Sequence, residues 1–236
     1  MSDEFAQQVV LITGACGNLG QAVTARFAAA GARLVLADHD AARLPSLHDR
    51  YPDAMTLALD ATKVESVDQA LHAVEARLGQ IHILAHTVGG SSAGQPVHEM
   101  PQDAWDRMFN LNVKPIYVVG GRVAQHMLDH AVRGSLVFVL ARAALKGAAN
   151  AAAYTASKAA AQRIMESMAA ELKDRGININ GVLPSIIDTP PNREAMPKAD
   201  FSKWVTPEDV ANAIAFLASE QANSLHGVSL EVYGRV

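Results

Sequence analysis

Short apolar runs alternate with longer amphipathic segments along almost the whole chain. Each apolar run has the length of a buried strand, and the segments between the runs have the spacing of helices with one apolar face. The runs predict strands at 9–12, 33–37, 54–59, 81–85, 136–140, 177–183 and 228–232. The intervening segments predict helices at 19–30, 41–50, 64–78, 102–130, 152–173 and 207–218, and Pro115 predicts a bend in the fourth of these.

This alternation predicts an α/β protein in which helices cover both faces of a parallel sheet. Right-handed crossovers between about seven strands then lead to a doubly wound, Rossmann-like fold. No repeat, low-complexity stretch or linker divides residues 1–236, so we expect a single domain. The segment 185–205 contains three prolines and has no clear period. Such a segment predicts a substrate lid, with a surface connector as the alternative.

Composition limits the compartment and the partners. The 236 residues are half hydrophobic and carry a net charge of −4, and no basic run favours nucleic acid. The single cysteine, Cys16, excludes an intrachain disulfide and favours a reducing compartment. The acidic N-terminus is not a secretory signal, and the apolar run 136–145 is interrupted by Arg142 and too short for a bilayer. We therefore expect a cytoplasmic protein that acts on a small molecule, without nucleic-acid or membrane partners.

A glycine-rich turn follows the first predicted strand and opens the first predicted helix. Gly14, Gly17 and Gly20 recur at every third position of this turn. A turn of this kind lets backbone N–H groups approach a pyrophosphate at the N-terminus of a helix. The sequence therefore predicts a dinucleotide site at Gly14, Gly17, Asn18, Leu19 and Gly20.

Two acidic residues follow the second and third predicted strands. An acid in the position of Asp38 accepts hydrogen bonds from the adenosine ribose and repels a 2′-phosphate. Because no arginine sits beside Asp38 in the sequence, we predict NAD in preference to NADP; a helix cap is the alternative role. Asp60, followed by Ala61, predicts a contact with the adenine amino group, with a turn role as the alternative.

A phenol and an ammonium stand four residues apart in Tyr154-Thr-Ala-Ser-Lys158. Residues i and i+4 share one face of a helix, so the two groups are expected to be neighbours. A nearby cation favours phenolate, and lowering the pKa of the phenol by about two units corresponds to roughly 2.7 kcal/mol. The pair predicts an acid that transfers a proton in step with hydride transfer from a nicotinamide.

The turn, the two acids and the Tyr154–Lys158 pair resemble the short-chain dehydrogenase/reductase family over nearly the whole chain. The resemblance implies a nicotinamide cofactor, Tyr154 as proton donor and Lys158 as a ligand of the nicotinamide ribose. It implies that Asn112 is catalytic and holds a water that links the lysine to solvent. It also implies cofactor contacts at Thr87, Gly89, Ile187 and Thr189.

The chain departs from the family pattern at three places. Asn18 stands where the middle glycine of the turn belongs, and His86-Thr87-Val88-Gly89 replaces the usual Asn-Asn-Ala-Gly. His86 is expected either in the cofactor pocket or as a buried, hydrogen-bonded side chain. Ala141 occupies the position of the catalytic serine, thirteen residues before Tyr154. Loss of such a donor typically costs about 10²–10³ in rate in carbonyl chemistry.

The dihydropteridine reductase branch of the family also has an alanine at that position. Four segments resemble that branch: 14–20, 88–90, 141–147 and 188–204. The resemblance implies that Ala141 marks an activated acceptor, such as an imine, quinonoid or enone, in which charge is delocalised. We therefore expect an NADH-dependent oxidoreductase for such an acceptor. The alternatives are an ordinary alcohol dehydrogenase or ketoreductase in which another group replaces the serine, and a cofactor-binding protein that has lost catalysis.

Two further expectations concern assembly and metals. The resemblance implies a homodimer or homotetramer built through the predicted helices 102–130 and 152–173. His126 and His130 lie at i and i+4, which is a spacing that zinc uses, but the sequence shows no third ligand. We therefore expect no metal site, and assign both histidines to a solvated or interface face.

Overall fold

The computed structural model describes residues 3–92 and 94–236, which form one parallel sheet of seven strands in the order β3-β2-β1-β4-β5-β6-β7. The strands are β1 (Val9–Thr13), β2 (Arg33–Asp38), β3 (Met55–Ala58), β4 (Ile83–His86), β5 (Ser135–Val139), β6 (Asn178–Pro184) and β7 (Ser229–Val232). The helices are α1 (Asn18–Ala29), α2 (Leu44–Arg50), α3 (Val64–Leu78), α4 (Gln102–Asn112), α5 (Gly121–Asp129), α6 (Ala152–Leu172), α7 (Pro190–Ala195) and α8 (Pro207–Ala218). Within these residues no helix combines the length and apolar character needed to cross a bilayer.

Two hydrophobic layers cover the sheet, one on each face. Successive residues of a strand point to opposite faces, so Leu11 of β1 packs in one layer and Ile12 in the other. Residues of α3, α5 and α6 complete the Leu11 layer, and residues of α1, α2 and α8 complete the Ile12 layer. The single-domain, doubly wound α/β architecture expected from the alternation is confirmed.

The strand order reverses beside β1, which pairs with β2 on one side and β4 on the other. The connections that leave these strands diverge to opposite sides and open a crevice at their carboxyl ends. Thr13 and His86 are register partners at this edge, and Asp38 ends β2 there. The topology therefore brings together the ends of strands whose residues are far apart in the sequence.

The helix predicted at 102–130 is interrupted close to Pro115, where the sequence predicted a bend. α4 ends at Asn112, a π-helical turn spans Ile116–Gly120, and α5 begins at Gly121. Pro115 comes directly before the π turn, and a proline removes one backbone donor and disfavours the regular helix around it. The interruption places Asn112 at the end of α4, beside the crevice, and π turns of this kind occur frequently at functional sites.

The segment 185–205 is more ordered than its sequence suggested. It contains α7, and its two ends are joined by a bridge between Ile187 and Val205. The backbone N–H of Asp188 donates to the carbonyl of Val205 at 2.8 Å, and the Asp188 carboxylate pairs with Arg193 at 2.5 Å. The segment is therefore a folded flap over the carboxyl edge of the sheet, and its action as a lid remains a prediction.

Candidate active site

The glycine-rich turn brings the backbone of β1 unusually close to the start of α1. Gly14 has a φ of +75°, and a Cβ at this position would lie 2.9 Å from Thr87 Oγ1. A Cβ on Gly20 would lie only 2.1 Å from the Gly14 carbonyl oxygen, so a side chain there would force the turn open. α1 begins at Asn18 without an acidic residue in its first turn. Its positive N-terminal end is therefore free to attract a phosphate.

A cavity of about 300 Å³ opens beside this turn, at the carboxyl ends of β1, β4, β5 and β6. The turn, the loop after β4, the first turns of α6 and the flap all contribute to its wall. The predicted site residues that line it are Gly14, Gly17, Asn18, Leu19, Gly20, Thr87, Gly89, Tyr154, Lys158, Ile187 and Thr189. The fold thus gathers eleven of the predicted residues around one opening.

A second cavity, of about 390 Å³, lies on the other side of Gly14. Asp38, Asp60 and Ala61, the residues predicted to hold the adenosine, line this cavity. The two cavities share Gly14, so they meet at the glycine-rich turn. This arrangement fits an elongated ligand with a phosphate group at its centre, because the turn offers N–H groups between two pockets.

Asp38 ties the glycine-rich turn to the end of β2. Its side chain is buried, and its two oxygens accept hydrogen bonds from Cys16 N at 2.9 Å and Asp40 N at 3.1 Å. The guanidinium of Arg43 donates to the Cys16 carbonyl, so an arginine does lie close to Asp38. An arginine that is not adjacent to Asp38 in the sequence thus reaches the same turn, because the chain turns back toward β1 after β2.

Asp60 has the geometry of a turn residue. One of its oxygens accepts from the Thr62 hydroxyl at 2.6 Å and from the Thr62 N–H at 3.0 Å, and Lys63 lies 3.1 Å from the other. The hydrogen bond from the Thr62 side chain is the main reason that the pKa of Asp60 falls to about 2. The turn role is therefore observed, and the carboxylate still borders the adenosine-sized cavity.

Lys158 is a buried cation. Its ammonium donates to the carbonyl of Val139 at 3.1 Å, and burial lowers its pKa from 10.5 to about 8. Burial raises the pKa of the Tyr154 phenol above its ordinary value of 10.0. The sequence expectation that Lys158 lowers this pKa is therefore wrong for the protein alone, because loss of hydration dominates at Tyr154. Tyr154 is accordingly protonated at neutral pH, as a proton donor must be.

Asn112 acts as a clamp on the loop that follows β4. Its side chain accepts from Gly90 N at 2.9 Å and donates to Gly90 O at 3.0 Å and to Ser157 Oγ at 3.1 Å. A Cβ on Gly89 would lie 3.0 Å from both Asn112 Oδ1 and Lys158 Nζ. The loop therefore passes tightly over both side chains, and Asn112 supports the wall of the cavity from beneath.

His86 lies deep under the same wall. It is completely buried, and its Nδ1 is 2.7 Å from the Thr13 hydroxyl, whereas its Nε2 has no hydrogen-bond partner among the described residues. Burial, and to a smaller extent the charge of Lys158, lowers the pKa of His86 to about 3. Of its two expected roles, the buried, hydrogen-bonded histidine is the one observed.

Ala141 forms part of the cavity wall between β5 and α6, at the position where the family pattern has a serine. Its methyl group offers no hydrogen bond to a bound oxygen. The neighbouring Arg142 donates to the Val236 carbonyl at 3.1 Å, and its guanidinium lies 5.0 Å from the centre of the Tyr233 ring. Arg142 is therefore engaged with the C-terminus of the chain.

Sequence reasoning missed three polar residues that line the cavity. These are Ser91, Ser185 and Asn192. The amide of Asn192 donates to Ile187 O at 2.8 Å, and the hydroxyl of Ser185 donates to Tyr233 O at 2.8 Å. Their position just after β4 and β6, or in the flap, was the available signal, since residues that follow parallel strands gather at one edge.

Comparison with known proteins identifies the family of the chain. Residues 8–200 match the family model described as short chain dehydrogenase. The chain is 31% identical to cis-4-hydroxycyclohexanecarboxylate dehydrogenase of Sinomonas cyclohexanicum. The alignment runs over 247 residues and covers 99% of this chain and 98% of that relative. It is 29% identical to L-xylulose reductase of Mesocricetus auratus, with 98% and 96% of the two chains covered.

A solved structure gives the same result for the fold and the cofactor class. The 3-ketoacyl-(acyl-carrier-protein) reductase of Brucella melitensis, solved with NADH, superposes with a TM-score of 0.86 at 28% identity and covers 98% of each chain. The relatives are named dehydrogenases and reductases, and a nicotinamide cofactor suits the two cavities that meet at the glycine-rich turn. The chain belongs to the short-chain dehydrogenase family and is an oxidoreductase.

Proposed function

We propose that this protein is an NADH-dependent reductase of an activated acceptor, such as an imine, a quinonoid ring or an enone. The observation that carries the proposal is Ala141, which lines the cavity where the family pattern has a hydroxyl donor. A plain ketone develops a localised negative charge on oxygen and benefits from such a donor. A conjugated acceptor spreads the charge over several atoms, so it depends less on a single donor.

The proton in this reaction comes from Tyr154. A reduced nicotinamide, when bound, supplies the hydride. Tyr154 then donates its phenolic proton to the reduced acceptor, and the raised pKa supports this role because the phenol stays protonated at neutral pH. Lys158, held against Val139 O, lines the same cavity as Tyr154 and would hold the nicotinamide ribose beside it.

The proposed preference for NADH over NADPH depends on Asp38. Its buried carboxylate at the end of β2 would repel a 2′-phosphate in the adenosine cavity. Arg43 offsets part of that repulsion, because its guanidinium contacts the same turn. We therefore expect a preference for NADH. Arg43→Gln, which removes the positive charge, should increase this preference. Asp38→Asn, which removes the negative charge, should reverse it.

A second candidate is an ordinary alcohol dehydrogenase or ketoreductase. The relatives support it, because the two quoted above are named for a hydroxy acid and a sugar. Within the cavity, Ser91 has a hydroxyl on the wall formed by the loop after β4, and this group is the candidate replacement for the missing donor. In this case Ser91→Ala would abolish most ketone turnover.

A panel of acceptors separates these candidates. Steady-state rates with NADH and NADPH are compared for a quinonoid dihydropterin, a cyclic imine, an enone and simple ketones. We expect the activated acceptors to react at least about tenfold faster, and Ala141→Ser to raise ketone turnover selectively by up to about 10²-fold. Faster turnover of a ketone by the unmodified protein, lost in Ser91→Ala, would favour the second candidate. Normal NADH binding without turnover of any acceptor would indicate a cofactor-binding protein that has lost catalysis.

A further inference from the structure

Three metal-ligating side chains converge on the surface between α3 and α5. They are Glu75 of α3, His126 of α5 and His130, which follows α5 directly. One carboxylate oxygen and one ring nitrogen from each histidine lie within 4.8 Å of one another. The sequence offered only the two histidines, because Glu75 is about fifty residues away and reaches them only when α3 packs against α5.

The hydrogen bonds of His130 leave a lone pair that faces a carboxylate. Its Nδ1 is 2.8 Å from the His126 carbonyl, and because a carbonyl only accepts, Nδ1 must carry a proton. Its Nε2 lies 3.2 Å from Glu75 Oε1. In the neutral ring this nitrogen keeps a lone pair that faces the carboxylate, so the contact is favourable when either a proton or a metal cation lies between the two atoms. A backbone carbonyl that orients one ring nitrogen while the other binds metal is a frequent arrangement.

His126 can supply the third metal ligand only by giving up a hydrogen bond from the backbone. Its ring centre is 4.3 Å from that of His130, and its Nε2 accepts from the backbone N–H of Ile81 at 3.2 Å. A nitrogen that accepts this bond is not available to a metal, and the other nitrogen then carries the proton. Coordination by His126 therefore requires release of the Ile81 N–H, which supplies a specific signal of binding at a backbone amide.

We propose that Glu75, His126 and His130 form a zinc site that links α3 to α5. Two imidazoles and one carboxylate are a ligand set that Zn²⁺ uses, and solvent supplies a fourth ligand. Glu75 and His130 are partly exposed, so their side chains can close the separation of up to 4.8 Å to that of a tetrahedral site. Ile81 precedes β4, which places the site at the amino end of the sheet, opposite the cavity. The site is therefore remote from the Tyr154–Lys158 pair.

The test is a titration of the untagged, EDTA-treated full chain with Zn²⁺ by calorimetry, with Mg²⁺ as the comparison ion. We expect one Zn²⁺ per chain, no Mg²⁺ binding, and a rise in melting temperature with Zn²⁺. Glu75→Gln, His126→Gln and His130→Gln should each weaken Zn²⁺ binding by at least about tenfold. His72→Gln, an exposed histidine on the same helix as Glu75, is the matched control and should bind as the unmodified chain does.

Amide hydrogen exchange at Ile81 supplies a second readout. We expect exchange of the Ile81 N–H to become faster when Zn²⁺ binds, because its acceptor turns to the metal. His130→Gln and Glu75→Gln change partly exposed residues, so they test the site even if the buried His126 variant does not fold. Zn²⁺ binding that persists in these two variants, or that leaves Ile81 unchanged, would overturn the proposal.

Discussion

The two ends of the sheet hold cavities of different size and different chemistry. The larger one, about 560 Å³, lies at the amino ends of β4, β5 and β6 and is bordered by His82, Arg133 and Asn178. The smaller one, about 300 Å³, lies at the carboxyl ends and contains the Tyr154–Lys158 pair. The volume of a single cavity therefore does not indicate which end carries the predicted site residues.

The two ends of the sheet differ in how their buried polar groups are stabilised. Near the amino end, buried Asn178 donates to Ala222 O at 2.9 Å, and the neighbouring Asn180 both donates to Leu225 O at 2.8 Å and accepts from Val228 N at 2.9 Å. Near the carboxyl end, burial shifts the pKa of Lys158 to about 8 and that of His86 to about 3. The two asparagines at the amino end are hydrogen-bonded and fix a loop, whereas Lys158 and His86 at the carboxyl end are held at a cost in stability, as functional groups often are.

The strongest test of this contrast removes one hydroxyl from the carboxyl end. Tyr154→Phe should lower kcat by about 10²–10⁴ on any acceptor that the protein reduces, because the proton donor is lost. NADH affinity, measured by fluorescence titration, should change little. Arg133→Gln, at the larger amino-end cavity, is the matched variant and should leave kcat within about twofold. Equal losses in both variants would contradict the assignment of function to one end.

The closeness of β1 and α1 gives a second test. In Gly20→Ala the new Cβ would lie 2.1 Å from the Gly14 carbonyl, so the turn must open. We expect a loss of about 1–3 kcal/mol in the free energy of unfolding and at least about tenfold weaker NADH binding. Urea unfolding and fluorescence titration measure the two effects. Gly79→Ala is a useful comparison: its φ is +86°, but no atom lies within 4 Å of the added Cβ, so NADH binding should not change.

A third test separates stability from function at the carboxyl end. Lys158 is buried with a pKa of about 8, compared with 10.5 in the unfolded chain, so the buried charge opposes folding at neutral pH. Lys158→Met should raise the free energy of unfolding at pH 7 by about 1–2 kcal/mol while abolishing turnover.

The sign of this effect can be checked by pH. Between pH 8 and 10.5 the unfolded chain binds the proton of Lys158 more tightly than the folded one, so this residue makes stability rise with pH. The Met variant should lose that contribution. A variant that is less stable than the unmodified protein at pH 7 would show that the ammonium is well compensated.

The smallest expected effect concerns acid stability and His86. Its pKa is about 3 in the folded chain and 6.5 in the unfolded chain, so the unfolded state binds more protons between these values. The contribution of His86 therefore falls as pH decreases through this window. His86→Asn should flatten the dependence of unfolding free energy on pH between about 3 and 6.5. An unchanged slope would mean that other groups, such as His82, dominate acid unfolding.

Much of the fold was predictable because its signals are local. Buried parallel strands appear as apolar runs, and α3 and α8 begin and end at the residues that the pattern indicated. For the helix at 102–130 the sequence predicted the place of the bend, at Pro115, but not its form, because the pattern of apolar residues continues across a π turn that only backbone geometry reveals. The expected homodimer or homotetramer and the cytoplasmic location stay predictions.

The sequence by itself determined the order of strands and helices, the glycine-rich turn and the Tyr154–Lys158 pair, because each depends on residues that are near neighbours in the chain. Tertiary structure alone decided three other features. It brought Arg43 to the turn that Asp38 also contacts, it brought Glu75 to His126 and His130, and it raised rather than lowered the pKa of Tyr154. The physical reason is the same in each case: desolvation and contacts between distant segments depend on what packs around a group, and local sequence does not specify that.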